Sequence, residues 1–355
     1  FKTGDVLLTN GKRLSSTAIA DHAIAMLLSL VRGLDAYQRL QSSSLWDRTS
    51  PKNSLQFGEI TGRTVLIVGL GGIGTEVAKR AYGLGMRVIA TRGSRREGPA
   101  FVSYVGLSHE ALDLAPQADV VINAAAYTAV DRAEEEAELA HAVNALGVAN
   151  LAQTCAANGV DLIHISTDYV FAGDQNEPYR TQDAPAPTGV YGRSKWEGEK
   201  AVAQAFAGAP NAQFWIFRVA WLYDTRGNNF AQTMMRLAAT GKALRIVSDQ
   251  WGAPTAAGPF ASLLMEVAQN SELLEAGTWH YGTSGPTTWF DFACAIKNEL
   301  NADCVINPVT TEDYPFKAKR PNYSVLNCEK TINEFNLNPN SWELALKDCI
   351  NNLMN

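Results

Sequence analysis

Tyr191 and Lys195 stand four residues apart in the run Tyr191-Gly192-Arg193-Ser194-Lys195. If a helix begins near Val190, after Pro185 and Pro187, that spacing puts a phenol and an ammonium on one face. A phenol titrates near ~10 and is a poor proton donor at neutral pH, but an adjacent lysine cation stabilises the phenolate and lowers that value toward the working range. The pair alone is equally the pattern of an exposed Tyr/Lys couple, so its surroundings decide. Upstream, Ser166-Thr167-Asp168-Tyr169 follows the apolar block Asp161–Ile165. Thr167 is thereby expected at the carboxyl end of a parallel strand, the edge where open α/β sheets bind ligands. There its hydroxyl can donate to a carbonyl oxygen while Tyr191 delivers a proton, and the two together stabilise an alkoxide formed as hydride arrives.

A hydride source is suggested by Gly69-Leu70-Gly71-Gly72-Ile73-Gly74, a G-x-G-x-x-G placed after the predicted strand TVLIV and opening a predicted helix. Gly69 permits the tight turn, Gly71 lets the backbone approach a pyrophosphate, and Gly74 lets helix and strand pack closely. Gly72 and Ile73 complete the turn, and the helix N-terminus supplies amide donors to the phosphates. The next strand ends Ala90-Thr91-Arg92-Gly93-Ser94-Arg95-Arg96, without the acid that an NAD site presents to the ribose. Arg92 and Arg95 suit a 2′-phosphate, so NADP(H) is preferred and NAD(H) is the alternative. The plain reading of the same residues is a solvated basic loop.

The elements that must position these groups read as an α/β fold. Continuous apolar blocks begin at Thr64 and recur at Asp119–Ala124, Asp161–Ser166 and Phe214–Val219, with helical stretches such as Glu134–Asn158 between them. Such blocks fit strands buried on both faces, and their alternation with helices predicts a doubly wound, Rossmann-type parallel sheet. The last third is punctuated by Gly285-Pro286, Asn307-Pro308, Tyr314-Pro315 and Arg320-Pro321, with predicted helices at Trp289–Leu300 and Trp342–Met354. It reads as a smaller substrate-binding region. Ser16–Leu40 reads as an extra N-terminal helix whose wide apolar face must cover the sheet or meet a second copy in a homodimer. The expected organisation is a helical segment over 1–60, a dinucleotide-binding domain carrying the catalytic residues over 61–221, and a mainly substrate-binding region over 222–355 with a return strand near 278–284.

The 355 residues are 46% hydrophobic, enough for a large folded core. A formal charge of -6 gives no footprint for nucleic acid. Five scattered cysteines without a C-x-x-C pair argue against a disulfide framework or a zinc site. The apolar stretch Ala23–Val31 is too short to span a membrane. A cytoplasmic enzyme acting on a small molecule is expected.

From about Asp119 onward the chain resembles the dTDP-4-dehydrorhamnose reductase family of the extended short-chain dehydrogenase/reductase superfamily. The likeness lies in VVINAAAYTAVDRAE, HISTDYVFAG, APAPTGVYGRSKWEGE, FRVAWLYDTRGNNFAQTM, DQWGAPT and TTEDYPFKAKRPNYSVLN, which with their surroundings span roughly two thirds of the sequence. The resemblance implies a catalytic triad of Thr167, Tyr191 and Lys195, with Ala124, Ala125, Ala126 and Asn144 along the cofactor. It also implies that Thr167, Asp168, Trp221, Asn228, Asn229, Gln250 and Arg320 face a sugar nucleotide. Simple core packing remains the alternative for Trp221, and a surface position for Arg320. The implied reaction is reduction of the 4-keto group of dTDP-4-dehydro-L-rhamnose. Some relatives bind magnesium through glutamates at a dimer contact; Glu76 matches one of them, but Lys242, Asn351 and Asn352 stand near the others, so no metal is assigned.

The first 120 or so residues are similar instead to the nucleotide-binding domain of D-isomer-specific 2-hydroxyacid dehydrogenases, on GDVLLTN, ADHAIAMLLSLVRGLDAYQRLQSSSLWDR and GEITGRTVLIVGLGGIGTEVAKRAYGLGMRVIATR. The two likenesses meet near Asp119–Ala124, and the chain reads as a fusion of the two. The catalytic and substrate parts of the hydroxyacid family are not matched, so only cofactor binding carries over from that side. Relatives of the reductase also include a non-catalytic regulatory subunit; retention of the triad favours the enzyme.

Overall fold

The computed structural model describes residues 61–62, 64–68, 70, 78–79, 81–92, 96–118, 120–123, 126–224, 229–257, 259–260, 263–264, 267, 274–335, 337 and 339–354. The expected helix Ser16–Leu40, and Gly69, Gly71, Gly72, Ile73, Gly74, Glu76, Arg95, Ala124, Ala125 and Asn228, lie outside these residues.

The apolar blocks form parallel strands. β1 (Thr64–Val68), β2 (Arg87–Arg92) and β3 (Tyr104–Leu107) make one sheet in the order β1-β2-β3. Ile67 pairs with Ala90 and Ala90 with Val105, both in parallel register. Leu70, Ala78, Ala81, Val88 and Val105 close a core beside it. β4 (Val120–Asn123), β5 (Asp161–Thr167), β6 (Phe214–Val219) and β7 (Gly277–Tyr281) make a second, four-stranded sheet in the order β7-β6-β5-β4. β6 runs parallel to both neighbours, with Thr167 opposite Val219 and Trp279 opposite Phe217. The described residues divide into two compact units at the Val121–Ile122 bond. Each unit thus carries its own parallel sheet, as an α/β fold requires.

In the second unit the predicted helical stretch 134–158 is not one α-helix. It runs as Ala137–His141, a π turn over Ala142–Leu146, and α1 (Gly147–Asn158). A π turn accommodates an extra residue and recurs at functional sites; here it contains Asn144, whose amide is used elsewhere. α2 (Val190–Phe206) starts where the sequence places it: Gly189 is the extended N-cap, and the Val190 N–H donates to Glu134 Oε1 at 2.8 Å. A carboxylate there also complements the helix dipole. Its buried positions Gly192, Lys195, Glu199, Val202 and Phe206 recur at three- and four-residue spacing, one helical face turned inward.

Two glycines let that face approach its neighbours. A Cβ on Gly192 would lie 2.2 Å from the Tyr169 carbonyl oxygen, and one on Gly198 would lie 2.2 Å from that of Asn144. The C-terminal region is organised by α3 (Phe230–Ala238), α4 (Trp289–Glu299) and α5 (Trp342–Met354) around Met234, Phe292, Ile296, Trp342, Leu346 and Ile350.

Candidate active site

Thr167 is the last residue of β5, Tyr191 lies in the first turn of α2, and Lys195 follows one turn later. Strand end and helix start thus bring together the three residues singled out in the sequence. The Thr167 side chain lies near enough to the Tyr191 hydroxyl to act on it. Thr167 Oγ1 donates to Asp168 Oδ1 at 2.9 Å and accepts the Tyr169 N–H at 3.2 Å. Asp168 is buried, and its Oδ2 has no partner in the folded chain. Burial pushes its pKa up to about 6, with the nearby Ser324 and Thr167 hydroxyls and the backbone opposing the rise.

The electrostatics of Tyr191 correct the sequence expectation. Its pKa moves above the ordinary phenol value, chiefly because the hydroxyl is buried; Thr167 opposes the rise, while Asp168 and Tyr169 add to it. Lys195 Nζ donates to the Ile165 carbonyl at 2.7 Å and sits 3.4 Å from His164 Nε2. Burial pushes Lys195 down to about 8, with Glu199 pulling the other way. Glu199 is itself held by Arg218, which donates from Nε at 3.1 Å and from Nη2 at 2.7 Å, and by Ser166 Oγ at 2.5 Å.

Asn144 is fully buried and acts as a clamp. Its Oδ1 accepts the Tyr127 N–H at 2.8 Å, and its Nδ2 donates to the Tyr127 carbonyl and to Ser194 Oγ, each at 3.0 Å. Ser194 Oγ in turn donates to the Tyr191 carbonyl at 2.8 Å. Arg320 joins the site through Tyr169: Nη1 donates to the Tyr169 hydroxyl at 3.2 Å and Nη2 to Asp131 Oδ2 at 2.6 Å. The Tyr169 ring meets Tyr191 edge-on at 5.6 Å. Arg320 is therefore no free surface residue.

The other expected site residues have local partners of their own. Asn229 caps α3, accepting the Gln232 N–H at 3.0 Å and donating to the Asp224 carbonyl at 2.9 Å. Gln250 is buried and donates to Thr311 Oγ1 at 3.1 Å. Trp221 adopts a left-handed φ of 48° and stacks on Trp289 at 3.6 Å. In the first unit, Arg92 ends β2 with Nη1 donating to the Glu97 carbonyl at 2.6 Å. Ala126 is half-buried beside Tyr127.

Several polar residues at the site were not singled out in the sequence: Asn123, Asp131, His164, Tyr169 and Glu199. One signal was visible, because a histidine between Ile163 and Ile165 in a buried strand needs buried partners. Asp131 gave none, since it meets Arg320 from 189 residues away. Among the described residues no group of three His, Cys, Asp or Glu is placed to hold a metal ion. No described helix is long and apolar enough to cross a membrane.

A threonine at a parallel strand end, with Tyr and Lys one turn apart on the next long helix, is the arrangement of an extended short-chain dehydrogenase/reductase. Comparison narrows the class. Residues 63–355 match the family described as RmlD substrate binding domain. The chain is 41% identical over 244 residues to dTDP-4-dehydrorhamnose reductase of Escherichia coli strain K12, covering 66% of this chain and 80% of that one. It is 38% identical over 300 residues to the Mycolicibacterium smegmatis reductase, covering 82% and 86%. A solved structure of the Bacillus anthracis reductase in complex with NADP matches with a TM-score of 0.69 at 31% identity, over 82% of this chain and 99% of that one. The chain belongs to the dTDP-4-dehydrorhamnose reductase family. The match begins at residue 63, upstream of the junction that the sequence resemblance placed near Asp119–Ala124.

Proposed function

We propose that the protein reduces the 4-keto group of dTDP-4-dehydro-L-rhamnose to give dTDP-L-rhamnose, with NADPH as the preferred reductant and Tyr191 as the proton donor. The observation that carries this reading is Thr167 at the end of β5 acting on Tyr191 in the first turn of α2, with Lys195 one turn further on. When bound, the nicotinamide supplies hydride to C4. Tyr191 gives its proton to the carbonyl oxygen, and Thr167 holds that oxygen as charge develops. Burial keeps the phenol protonated across the neutral range, so the donor is loaded before the reaction.

The residues present fit both ligands. An ammonium has three N–H donors. Those of Lys195 directed at Ile165 and His164 leave one for a ribose hydroxyl. Asp168 Oδ2, a buried acceptor without a partner, suits a hydroxyl of the sugar. The clamp of Asn144 on Tyr127 holds the loop that follows Ala124, Ala125 and Ala126, the segment read as lying along the cofactor. Gly69 and Gly71 to Gly74 are assigned to the pyrophosphate, Arg92 and Arg95 to the 2′-phosphate, and Trp221, Asn228, Asn229, Gln250 and Arg320 to the sugar nucleotide.

The domain scheme of 61–221 for the cofactor and 222–355 mainly for the substrate belongs to the same reading. The first 120 or so residues carry the likeness to D-isomer-specific 2-hydroxyacid dehydrogenases, and we read the chain as a fusion with the junction near Asp119–Ala124. Five free cysteines fit a reducing compartment, the cytoplasm. Leu139, Val143 and Leu146, exposed to 50%, 36% and 54% at helical spacing, favour a homodimer.

The test is spectrophotometric. Protein, NADPH and the 4-keto sugar nucleotide should lose the nicotinamide absorbance, and Tyr191→Phe should stop that loss. Full activity in the variant would sink the proposal.

A further inference from the structure

His164 lies in the middle of β5 with none of its surface exposed to solvent. Its two ring nitrogens face different groups. Nε2 is 3.4 Å from Lys195 Nζ, and Nδ1 is 3.1 Å from Nδ2 of Asn123 at the end of β4. The ammonium is a donor only, so a stable contact with it requires a lone pair on Nε2. In a neutral imidazole that places the ring proton on Nδ1. Nδ1–H then needs an acceptor, which Asn123 supplies with its amide turned over, so that Oδ1 takes the place of Nδ2 against the ring; the two amide orientations have the same shape and are told apart by the hydrogen-bond network.

We propose that His164 is a positioning residue for the catalytic lysine: its neutral ring, fixed as the Nδ1–H tautomer by Asn123, accepts a hydrogen bond from the Lys195 ammonium and, with the Ile165 carbonyl, fixes where that ammonium sits. The proposal rests on the role assigned to Lys195 above and adds what holds it there. The ring is suited to the task because it stays neutral. Burial, and then the neighbouring Lys195 charge, push its pKa well below the ordinary histidine range, so it does not compete with the lysine for charge. A water molecule would make a weaker anchor, because it can reorient.

The charged groups around Lys195 set the expected pH behaviour. On its own helix Glu199 favours the ammonium; that carboxylate is neutralised in turn by Arg218 from β6. Tyr191 precedes it by one turn, with Asp168 and Tyr169 beyond the phenol. From β5 the facing group is His164. Replacing its acceptor with hydrocarbon leaves Glu199 as the nearby group favouring the charge and removes one hydrogen bond from a buried cation. A charge-assisted hydrogen bond of this kind corresponds to a shift of about one pKa unit.

The experiment compares pH profiles of kcat/KM for NADPH-dependent reduction in the wild type, His164→Phe, His164→Gln and Lys195→Met. His164→Phe should move the alkaline limb down by about one pH unit. His164→Gln, which can offer an amide oxygen to the ammonium, should restore it to within a few tenths of a unit. An unmoved limb in His164→Phe would overturn the proposal, as would equal displacement in both variants. Should His164→Phe fail to fold, the wild-type protein still decides: ¹⁵N resonances of His164 should report Nδ1 protonated and Nε2 bare from about pH 6 to pH 9. A proton found on Nε2 would overturn it. Full activity in Lys195→Met would overturn the parent reading of the lysine, whereas the tautomer tests the His164–Lys195 contact on its own.

Discussion

Thr167 Oγ1 donates to Asp168 Oδ1 across 2.9 Å, while the other oxygen of the same buried carboxylate meets no donor in the folded chain. The half-satisfied carboxylate is costly to keep. Its folded-state pKa of about 6 lies above the ordinary 3.8, a rise of roughly two units, or about 3 kcal/mol. The folded state therefore binds the proton more tightly than the unfolded state, and this contribution is most favourable below pH ~4 and is lost as pH rises through about 6. Asp168→Asn removes the titration and keeps the acceptor for Thr167. Thermal unfolding should show the variant gaining on the wild type between pH 4 and pH 7.5, while reductase activity falls by on the order of 10- to 100-fold because the free carboxylate oxygen is gone. A variant with normal activity would show that Asp168 has no part in seating the sugar.

Tyr191→Phe isolates the proton transfer. The ring stays and its edge contact with Tyr169 at 5.6 Å is preserved, but the hydroxyl beside Thr167 is lost. General acid catalysis is worth about 10²- to 10⁴-fold, so kcat should fall by about that factor. NADPH binding, followed by nicotinamide fluorescence, should change less than threefold, by order of magnitude, because the phenol is assigned to chemistry rather than to affinity. Loss of binding in step with loss of turnover would reassign the residue.

Lys195 is expected to set the alkaline limit of the reaction. Burial lowers it to about 8, so the ammonium is lost as pH rises through that value, and kcat/KM should decline above it. Lys195→Met should be slow at every pH and lack that limb. A wild-type limb nearer to 10 would mean that the ammonium is better stabilised than its burial implies.

Glycines in the helix face test the packing. An exposed glycine inside a helix normally gains about 1 kcal/mol of stability on replacement by alanine. At Gly192 and Gly198 the sign should reverse, because each new Cβ would lie 2.2 Å from a backbone carbonyl oxygen, of Tyr169 and Asn144 respectively. Overpacking of this kind costs about 1 to 3 kcal/mol. Denaturant unfolding of both alanine variants should show the loss, and Gly192→Ala should also lower kcat because it displaces Tyr169 beside the catalytic phenol.

How much of this could be read beforehand depended on whether a signal was local. α2 begins at Val190 and α5 spans Trp342–Met354, where prolines, glycine and apolar spacing placed them. β6 coincides with the apolar block Phe214–Val219. Thr167, Tyr191 and Lys195 were legible because strand end and helix face are fixed by short-range pattern. The direction of the Tyr191 shift was not, since burial and the actual partners of Lys195 are properties of the packed chain. The π turn at Ala142–Leu146 was equally hidden: it holds Asn144, which reaches Tyr127 and Ser194, and no periodicity encodes that. Asn229, expected at the substrate, proved also to be a helix cap, a role that its position just before Phe230 fits.

The Asp131–Arg320 pair offers the sharpest test of how the C-terminal region is tied to the catalytic residues. Asp131 Oδ2 takes the guanidinium at 2.6 Å, and its Oδ1 accepts the backbone N–H groups of Lys317 and Ala318 at 3.2 and 3.1 Å. One carboxylate thus anchors both the side chain and the loop that carries it. Arg320 also lies over the Phe316 ring at 4.1 Å and reaches the Tyr169 hydroxyl, so losing the anchor should loosen the loop without touching Lys195 or Thr167. Asp131→Asn should raise KM for the sugar nucleotide by on the order of 10-fold and leave NADPH affinity unchanged. In a double-mutant cycle with Arg320→Lys the two effects should be non-additive by about 1 kcal/mol or more, the mark of residues acting through one contact. Lysine keeps the charge but cannot span Asp131 and Tyr169 with a planar fork. Additive effects would show that Arg320 meets the substrate independently of Asp131, and would move it from loop anchoring to direct recognition.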